Sequence, residues 1–319
     1  MVAVCIYSPS EEIWGGGQLY IESLCTYLNQ FGISSAIATP EPETFSCTTQ
    51  RIPSVSNRRA RFRHAFRFAA ELGHTGCQVV VLNDLSSLWL APIFRANGLK
   101  VVSLLHLYLQ RRGPSGLGHG WMEYRLLQFA SRFPDKIFSV NKDNEQVFPV
   151  PVTFVGNFVP GWFFEQVNRR HKRFDLGLIA RFAPQKNIPL FLELVHRINL
   201  RSRRPVTAVL VGSGPLEGEV SEHIARLGIG SLVEVRSWVA REDLPALFDQ
   251  IRCFAITSHH EGFATTLLEA HARGAMAVYR LEPFDRDARR VHSYHKQLNT
   301  VLVGDFAGAA CRDDHMRRL

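Results

Sequence analysis

Short apolar runs alternate with helical stretches along the first half of the chain, and the same alternation restarts in the second half. Val2 to Tyr7 is an apolar run, followed by the turn-forming triplet Gly15-Gly16-Gly17. From Gln18 to Phe31, the residues Leu19, Leu24, Tyr27, Leu28 and Phe31 recur near helical spacing, and Gly32 stands where a helix C-cap is expected. Ser35 to Thr39 reads as a second strand, and Cys77 to Leu82, Leu99 to Leu105 and Lys136 to Val140 as further buried strands. A polar, basic stretch, Gln166 to Arg173, interrupts the pattern. Beyond it come a strand at Phe174 to Ala180, a helix at Pro189 to Leu200, and a strand at Val206 to Val211 that ends in Gly212-Ser213-Gly214. A helix to about Leu227, strands at Leu232 to Val235 and Cys253 to Thr257, and a helix near Asp243 to Gln250 complete the reading. Short apolar strands separated by helices predict parallel, doubly wound α/β sheets. The basic stretch sets the boundary between two α/β domains, residues 1–165 and 166–319, with a cleft between them. In such sheets ligands bind beyond the carboxyl ends of the strands.

The 319 residues suffice for two domains that each bury a core, and 46% hydrophobic with 21% charged residues excludes a disordered or low-complexity chain. No stretch reaches the roughly 18 uninterrupted apolar residues of a membrane span. The start, MVAVCIYSPSEEIW, lacks a basic leader, and its apolar run is too short for a signal peptide, so a cytoplasmic location is expected. Six cysteines are scattered with no C-x-x-C pair, which reads as reduced thiols, neither zinc ligands nor a disulfide frame. The net charge of +8, from 37 basic and 29 acidic residues, favours anionic partners without choosing among nucleotides, phosphosugars, acidic lipid surfaces and nucleic acid.

Three segments carry candidate chemistry. Gly15-Gly16-Gly17 lies between a strand and a helix, where residues without Cβ let backbone N–H groups approach an anion; a tight turn is the equal alternative. Neither this triplet nor Gly212-Ser213-Gly214 completes G-x-G-x-x-G, and no P-loop is present, so a nicotinamide oxidoreductase is disfavoured. Arg181-Phe-Ala-Pro-Gln-Lys186 puts two cations on a strand-to-helix loop, able to clamp a diphosphate or simply to stand solvated. The third segment is Ser258-His-His-Glu261-Gly-Phe-Ala-Thr-Thr-Leu-Leu-Glu269-Ala-His-Ala-Arg-Gly274. Its strand ends near Thr257 and its helix starts close to Thr265, so Glu261 lies before the helix and Glu269 about a turn inside it. N–H groups around Phe263 to Thr266 suit a phosphate or sugar oxygens, and a carboxylate suits vicinal hydroxyls. The alternatives are a helix-dipole partner for Glu261 and a surface charge for Glu269.

Glu261-x7-Glu269 within EGFATTLLEAHARG resembles the E-x7-E motif of retaining glycosyltransferases of family four. Other pieces follow in the order of that family: IWGGGQLYIESLCTYL is similar to its glycine loop and first helix, and His106 after VVSLL to its histidine. Asn157 in VGNFVP is similar to its interdomain segment, Arg181 to Lys186 to its phosphate clamp, and LVGSGPLEGEV to its glycine-rich strand end. The resemblance implies the GT-B fold, two Rossmann-like domains facing across a deep cleft, the first on the acceptor side and the second binding a nucleotide sugar. It implies that Arg181 and Lys186 neutralise the donor diphosphate, that Glu269 holds the ribose, and that Glu261 with the backbone of Gly262, Phe263, Ala264 and Thr265 holds the donor sugar. Gly16 and Gly17 would face the donor diphosphate or the acceptor, Gly212 the donor, His106 the transferred sugar, and Val239 beside Trp238 the base. No metal and no cofactor beyond the nucleotide-diphosphate sugar are implied. The sugar would pass with retention to a hydroxyl of a sugar or lipid-linked acceptor, in polysaccharide, lipopolysaccharide or glycolipid assembly.

The chain departs from that pattern in the second domain. The family's G-[CT]-P-V region reads Gly274-Ala-Met-Ala-Val-Tyr-Arg-Leu-Glu-Pro-Phe without the usual glycine pair, and Ala264 stands where glycine is frequent. The end at Leu319 leaves little room for the family's last helices, so a shortened C-terminal region is expected, with a catalytically impaired nucleotide-sugar-binding or scaffold protein as the alternative. Arg51 to Phe68 holds six arginines and no acid. On a helix, Phe62, Phe66 and Ala69 form one face and Arg59, Arg63 and Arg67 another, which reads as peripheral contact with an anionic membrane at its inner face or as a surface helix with its phenylalanines in the core. No nucleic-acid reading motif is present, and His259-His260 and His292-x-x-His295 complete no metal-ligand spacing.

Overall fold

The structure, a computed structural model, describes residues 2–9, 16–54, 58–109, 119–165, 172–259 and 264–279. It divides into two compact units, one running to Asn157 and one beginning at Phe158. In the first, the apolar runs form β1 (Val4–Tyr7), α1 (Gly16–Gln30), β2 (Ser35–Thr39), β3 (Thr49–Arg51), α2 (Arg58–His74) and β4 (Val79–Leu82). Then follow α3 (Ala91–Ala96), β5 (Lys100–Leu105), α4 (Trp121–Ala130), β6 (Lys136–Ser139), α5 (Asn144–Val147) and β7 (Val152–Phe154). The strands pair in parallel in the order β3-β2-β1-β4-β5-β6-β7.

Alternate residues of the central strands feed opposite layers. Cys5, Tyr7, Val80, Leu82 and Val101 point to the layer of α2 and α3, whereas Ile6, Val81 and Leu104 meet Ile21 and Cys25 of α1. One helix faces otherwise than the sequence pattern implied, and a second settles between two readings. α1 starts at Gly16 and buries Ile21, Glu22 and Cys25, leaving Tyr27 and Phe31 exposed. Glu22 is tolerated there because its carboxylate accepts hydrogen bonds from the backbone N–H and the hydroxyl of Ser46, both at 2.7 Å. α1 does end as expected: Gly32 takes φ 76°, and the N–H of Ile33 reaches the carbonyl of Leu28 at 2.9 Å, closing a Schellman motif. α2 buries Ala65, Phe68, Ala69 and Leu72, and Phe62 and Phe66 lie exposed among the arginines. The alternative with those two phenylalanines in the core is therefore excluded.

The second unit contains β8 (Phe174–Ile179), α6 (Ile188–Arg201), β9 (Ala208–Val211), α7 (Glu217–Leu227) and β10 (Val233–Arg236). It continues through α8 (Leu244–Asp249), β11 (Ile251–Ile256), α9 (Thr265–Ala272) and β12 (Met276–Tyr279). Its parallel order is β10-β9-β8-β11-β12. The core lies between β8, β9 and the inner face of α6, where Ile188, Phe191, Leu192 and Val195 are fully covered. The unit starts at Phe158 and not at residue 166 because the intervening turn packs inward. Phe163 is fully buried, 5.9 Å from the Phe248 ring, and the Arg273 guanidinium donates to the carbonyls of Phe163 (2.9 Å) and Glu165 (2.6 Å). In each sheet the first strand lies between neighbours wound in opposite directions, β1 between β2 and β4 and β8 between β9 and β11. Those are the switch points where a crevice opens at the carboxyl ends.

Candidate active site

In the first domain, three neighbouring strands end in polar residues that form one chain of hydrogen bonds. Ser8 follows β1, Asn83 follows β4 and His106 follows β5. The Asn83 amide nitrogen donates to the Ser8 hydroxyl at 3.2 Å, and the Asn83 carbonyl oxygen lies 2.8 Å from Nε2 of His106. With the amide nitrogen committed to Ser8, the oxygen accepts from Nε2–H, which leaves Nδ1 of His106 as an acceptor. Tyr20 meets the imidazole edge-on at 5.3 Å. Gly17 lies against the ring, since a Cβ there would be 3.5 Å from it. Burial pushes the imidazole down to about 4, against the opposing charge of Asp84, so His106 is neutral at pH 7. It offers directional hydrogen bonding, not a cation. His106 and Gly17 are thus brought together, with exposed Gly16 beside them at the start of α1. Asn83 was missed in the sequence, although it closes the apolar run VVVL much as His106 closes VVSLL.

In the second domain, the loops after β8 and β11 are tied to each other. The Thr257 hydroxyl donates to the carbonyl of Lys186 at 2.9 Å, and the backbone N–H of His259 donates to the carbonyl of Gln185 at 2.8 Å. These bonds fix the segment carrying Arg181, which is exposed, and Lys186 at the switch point. The loop leaves through Asn187 at φ 47°, a left-handed residue that turns the chain into α6. Gly212 explains itself by packing: a Cβ would stand 2.0 Å from the Ala180 carbonyl oxygen, and its φ is 146°. Gly214, at φ 151°, approaches the Phe182 backbone in the same way.

α9 follows the β11 loop. Its N-cap is Ala264, a buried residue whose side chain cannot accept a hydrogen bond, so the first-turn N–H groups, including that of Thr265, receive no side-chain cap. One turn further in, Glu269 is 2% exposed. A surface charge is excluded by that burial, which pushes the carboxyl up to about 7 while the positive charge of Arg241 pulls it down. Arg241 lies over the Trp162 ring at 5.7 Å. Val239 is half-buried in the coil after β10, beside exposed Trp238, and joins neither set of tied loops. Glu261, Gly262 and Phe263 lie outside the described residues. Among the described residues, no group of three or more His, Cys, Asp or Glu side chains could hold a metal ion.

Residues 162–281 match the family described as Glycosyl transferases group 1. No curated protein matches the sequence significantly. Among solved structures, HepE of Anabaena in complex with UDP and glucose is similar over 86% of this chain and 80% of its own, at 16% identity and a TM-score of 0.66. The lipopolysaccharide outer core galactosyltransferase WaaB gives the same identity and coverages with a TM-score of 0.64. Sucrose-phosphate synthase of Thermosynechococcus elongatus does so with a TM-score of 0.67. The fold is GT-B, built of two Rossmann-like domains.

Proposed function

We propose that the protein is a retaining, metal-independent glycosyltransferase that moves a sugar from a nucleotide-diphosphate donor to an acceptor hydroxyl. The observation that carries this reading is the match of residues 162–281 to Glycosyl transferases group 1, a span that includes the tied loops after β8 and β11. In this reading Arg181 and Lys186 neutralise the diphosphate, Glu269 accepts hydrogen bonds from the ribose hydroxyls, and Val239 borders the base. Glu261 and the backbone from Gly262 to Thr265 hold the donor sugar, with Gly212 behind the diphosphate. In the first domain, Gly16 and Gly17 face the diphosphate or the acceptor, and the neutral ring of His106 contacts the transferred sugar. The acceptor oxygen attacks the anomeric carbon on the face that the diphosphate leaves. The bond from that carbon to the phosphate oxygen breaks, and the acceptor proton passes to the departing phosphate. Two fixed cations supply the charge stabilisation that a metal provides elsewhere, and most of the acceleration comes from positioning and electrostatics. The acceptor is a sugar or lipid-linked hydroxyl of a polysaccharide, lipopolysaccharide or glycolipid.

The HepE complexes with UDP and UDP-glucose make uridine diphosphate sugars the first donors to test. The full chain is incubated with a panel of nucleotide sugars and acceptors, with and without EDTA, and products are read by mass spectrometry and anomeric NMR. Retention and indifference to EDTA are expected. Lys186→Ala should lower turnover on the order of 10²-fold or more with an unchanged melting temperature. An inverted product, abolition by EDTA, or stabilisation by NAD(P) alone overturns the reading, and nucleotide binding without transfer marks a scaffold.

A further inference from the structure

We propose that the outer surface of the first domain's helical layer docks on an anionic lipid bilayer. α2, α3, the short turn Ser86–Leu90 and α4 all cover one face of the first sheet. Ala65, Phe68 and Leu72 of α2 share a core with Leu90, Ala91 and Phe94, and Leu88 shares one with Leu127 and Ala130 of α4. Burying those sides leaves a defined outer side on each long helix. On α2 it carries Arg59, Phe62, Arg63, Phe66 and Arg67, spaced i, i+3, i+4, i+7 and i+8, with Phe66 63% exposed. On α4 it carries Trp121, Met122, Arg125, Leu126 and Phe129, with Trp121 64% and Met122 68% exposed.

Each of the two helix crests exposes large apolar side chains among its arginines, Phe62 and Phe66 on α2 and Trp121, Met122, Leu126 and Phe129 on α4. Charge complementarity selects the occupant. Among the described residues, Arg59, Arg63 and Arg67 form no ion pair, and the acids on these two helices are Glu71 and Glu123. Beside α4, Arg125 and Arg132 line a cavity of about 330 Å³ with Gln128 and Gln146, which suits the phosphate of a lipid headgroup. Aromatic side chains projecting between arginines match an interfacial helix, whose apolar residues enter the acyl boundary while cations meet the headgroups. Among the described residues no helix is long and apolar enough to cross a membrane, so this contact is peripheral. The inference stands apart from the catalytic reading, because none of these side chains belongs to the candidate site.

The full chain is floated with vesicles of phosphatidylcholine alone, and of phosphatidylcholine with about one third phosphatidylglycerol, at low and high salt. Binding to the anionic vesicles alone is expected, weakened by salt because the attraction is screened beyond about 10 Å at 0.1 M. Each basic residue near such a surface contributes on the order of tenfold or somewhat less in affinity, so Arg63→Glu with Arg67→Glu should lower binding at least tenfold. Phe66→Ser with Met122→Ser should lower it as well, with less dependence on salt, and circular dichroism verifies that both pairs fold. Equal binding to both vesicles, or binding to neither, overturns the proposal. So does displacement of the anionic vesicles by an oligonucleotide at stoichiometric amounts, or a dimer in sedimentation velocity that Met122→Ser dissolves.

Discussion

Glu269 is the residue whose chemistry departs furthest from its ordinary behaviour. The interior of the second domain raises its carboxyl from the usual 4.5 to about 7, chiefly by desolvation. An acid raised on folding binds its proton more tightly in the folded chain, so its contribution is most favourable below about 4.5 and is lost as pH rises towards 7. The shift corresponds to roughly 3 kcal/mol. Glu269→Gln removes this dependence: calorimetry of the unliganded protein should show the variant gaining stability over the wild type between pH 4.5 and 7, with the difference level above. A difference that stays constant across that range would mean that the carboxyl is not raised by its surroundings. His106 makes the complementary case, since burial holds its ring neutral and Asn83 fixes which nitrogen carries the proton. The two candidate groups are thus set by their surroundings in opposite chemical senses, an acid made hard to ionise and a base made hard to protonate.

At the scale of the element, the loops at the carboxyl ends are held by backbone approach and cross-loop hydrogen bonds. Gly212→Ala drives a Cβ to 2.0 Å from the Ala180 carbonyl at a φ of 146°, and should cost on the order of 3 kcal/mol or more in urea unfolding of the second domain. Gly218→Ala meets nothing within 4 Å inside α7 and should gain up to about 1 kcal/mol. Equal effects would deny the close approach. The contrast also explains what could be read from the chain beforehand. β2, β4, β5, β6, β8, β9 and β11 were legible because a strand of a central parallel sheet is covered on both faces and so is continuously apolar. β3 (Thr-Gln-Arg) and β7 (Val-Thr-Phe) escaped because these short edge strands carry no such run, whereas β10 was read although it is an edge strand and β12 (Met-Ala-Val-Tyr) was not although it is apolar throughout. The face of α1 did not follow apolarity, since Tyr27 and Phe31 are apolar and exposed while Glu22 is charged and buried; on α2 the exposed Phe62 and Phe66 match one of the two readings that the sequence left open. In the candidate site, Arg181 and Lys186 stood out as cations on a strand-to-helix loop and Glu269 as a carboxylate one turn inside α9, whereas His106 was marked by the family resemblance. Asn83 and Thr257 carried no such mark, because their importance lies in partners from distant strands.

Across the whole molecule, the turn at residues 158–165 is tied to the second domain by one buried cation as well as by the Phe163 ring. Arg273 follows α9 and is 2% exposed; its guanidinium binds Asp249 at 2.9 and 2.5 Å and also donates to the carbonyls of Phe163 and Glu165. One side chain thereby joins α8, α9 and the turn that precedes β8, and it satisfies backbone acceptors that would otherwise be buried without donors. A planar fork with several donors is needed for this; a lysine, with a single nitrogen, cannot reach the carboxylate and both carbonyls together. Arg273→Met leaves the Asp249 carboxylate buried beside an apolar group and should cost about 3–5 kcal/mol. Arg273→Lys should recover only part of that, and Arg273→Met with Asp249→Leu should recover more, since the double variant leaves no buried carboxylate that has lost its guanidinium. Calorimetry of the full chain is the measurement, with the second domain's transition moving down and the first domain's staying in place. Limited proteolysis of the Met variant should then cut within residues 158–165, where the wild type is protected by Phe163 and its anchoring bonds. Equal resistance in both proteins would mean that the turn belongs to the second domain through its aromatic packing alone, with Phe163 and Phe248 and not Arg273 setting the boundary.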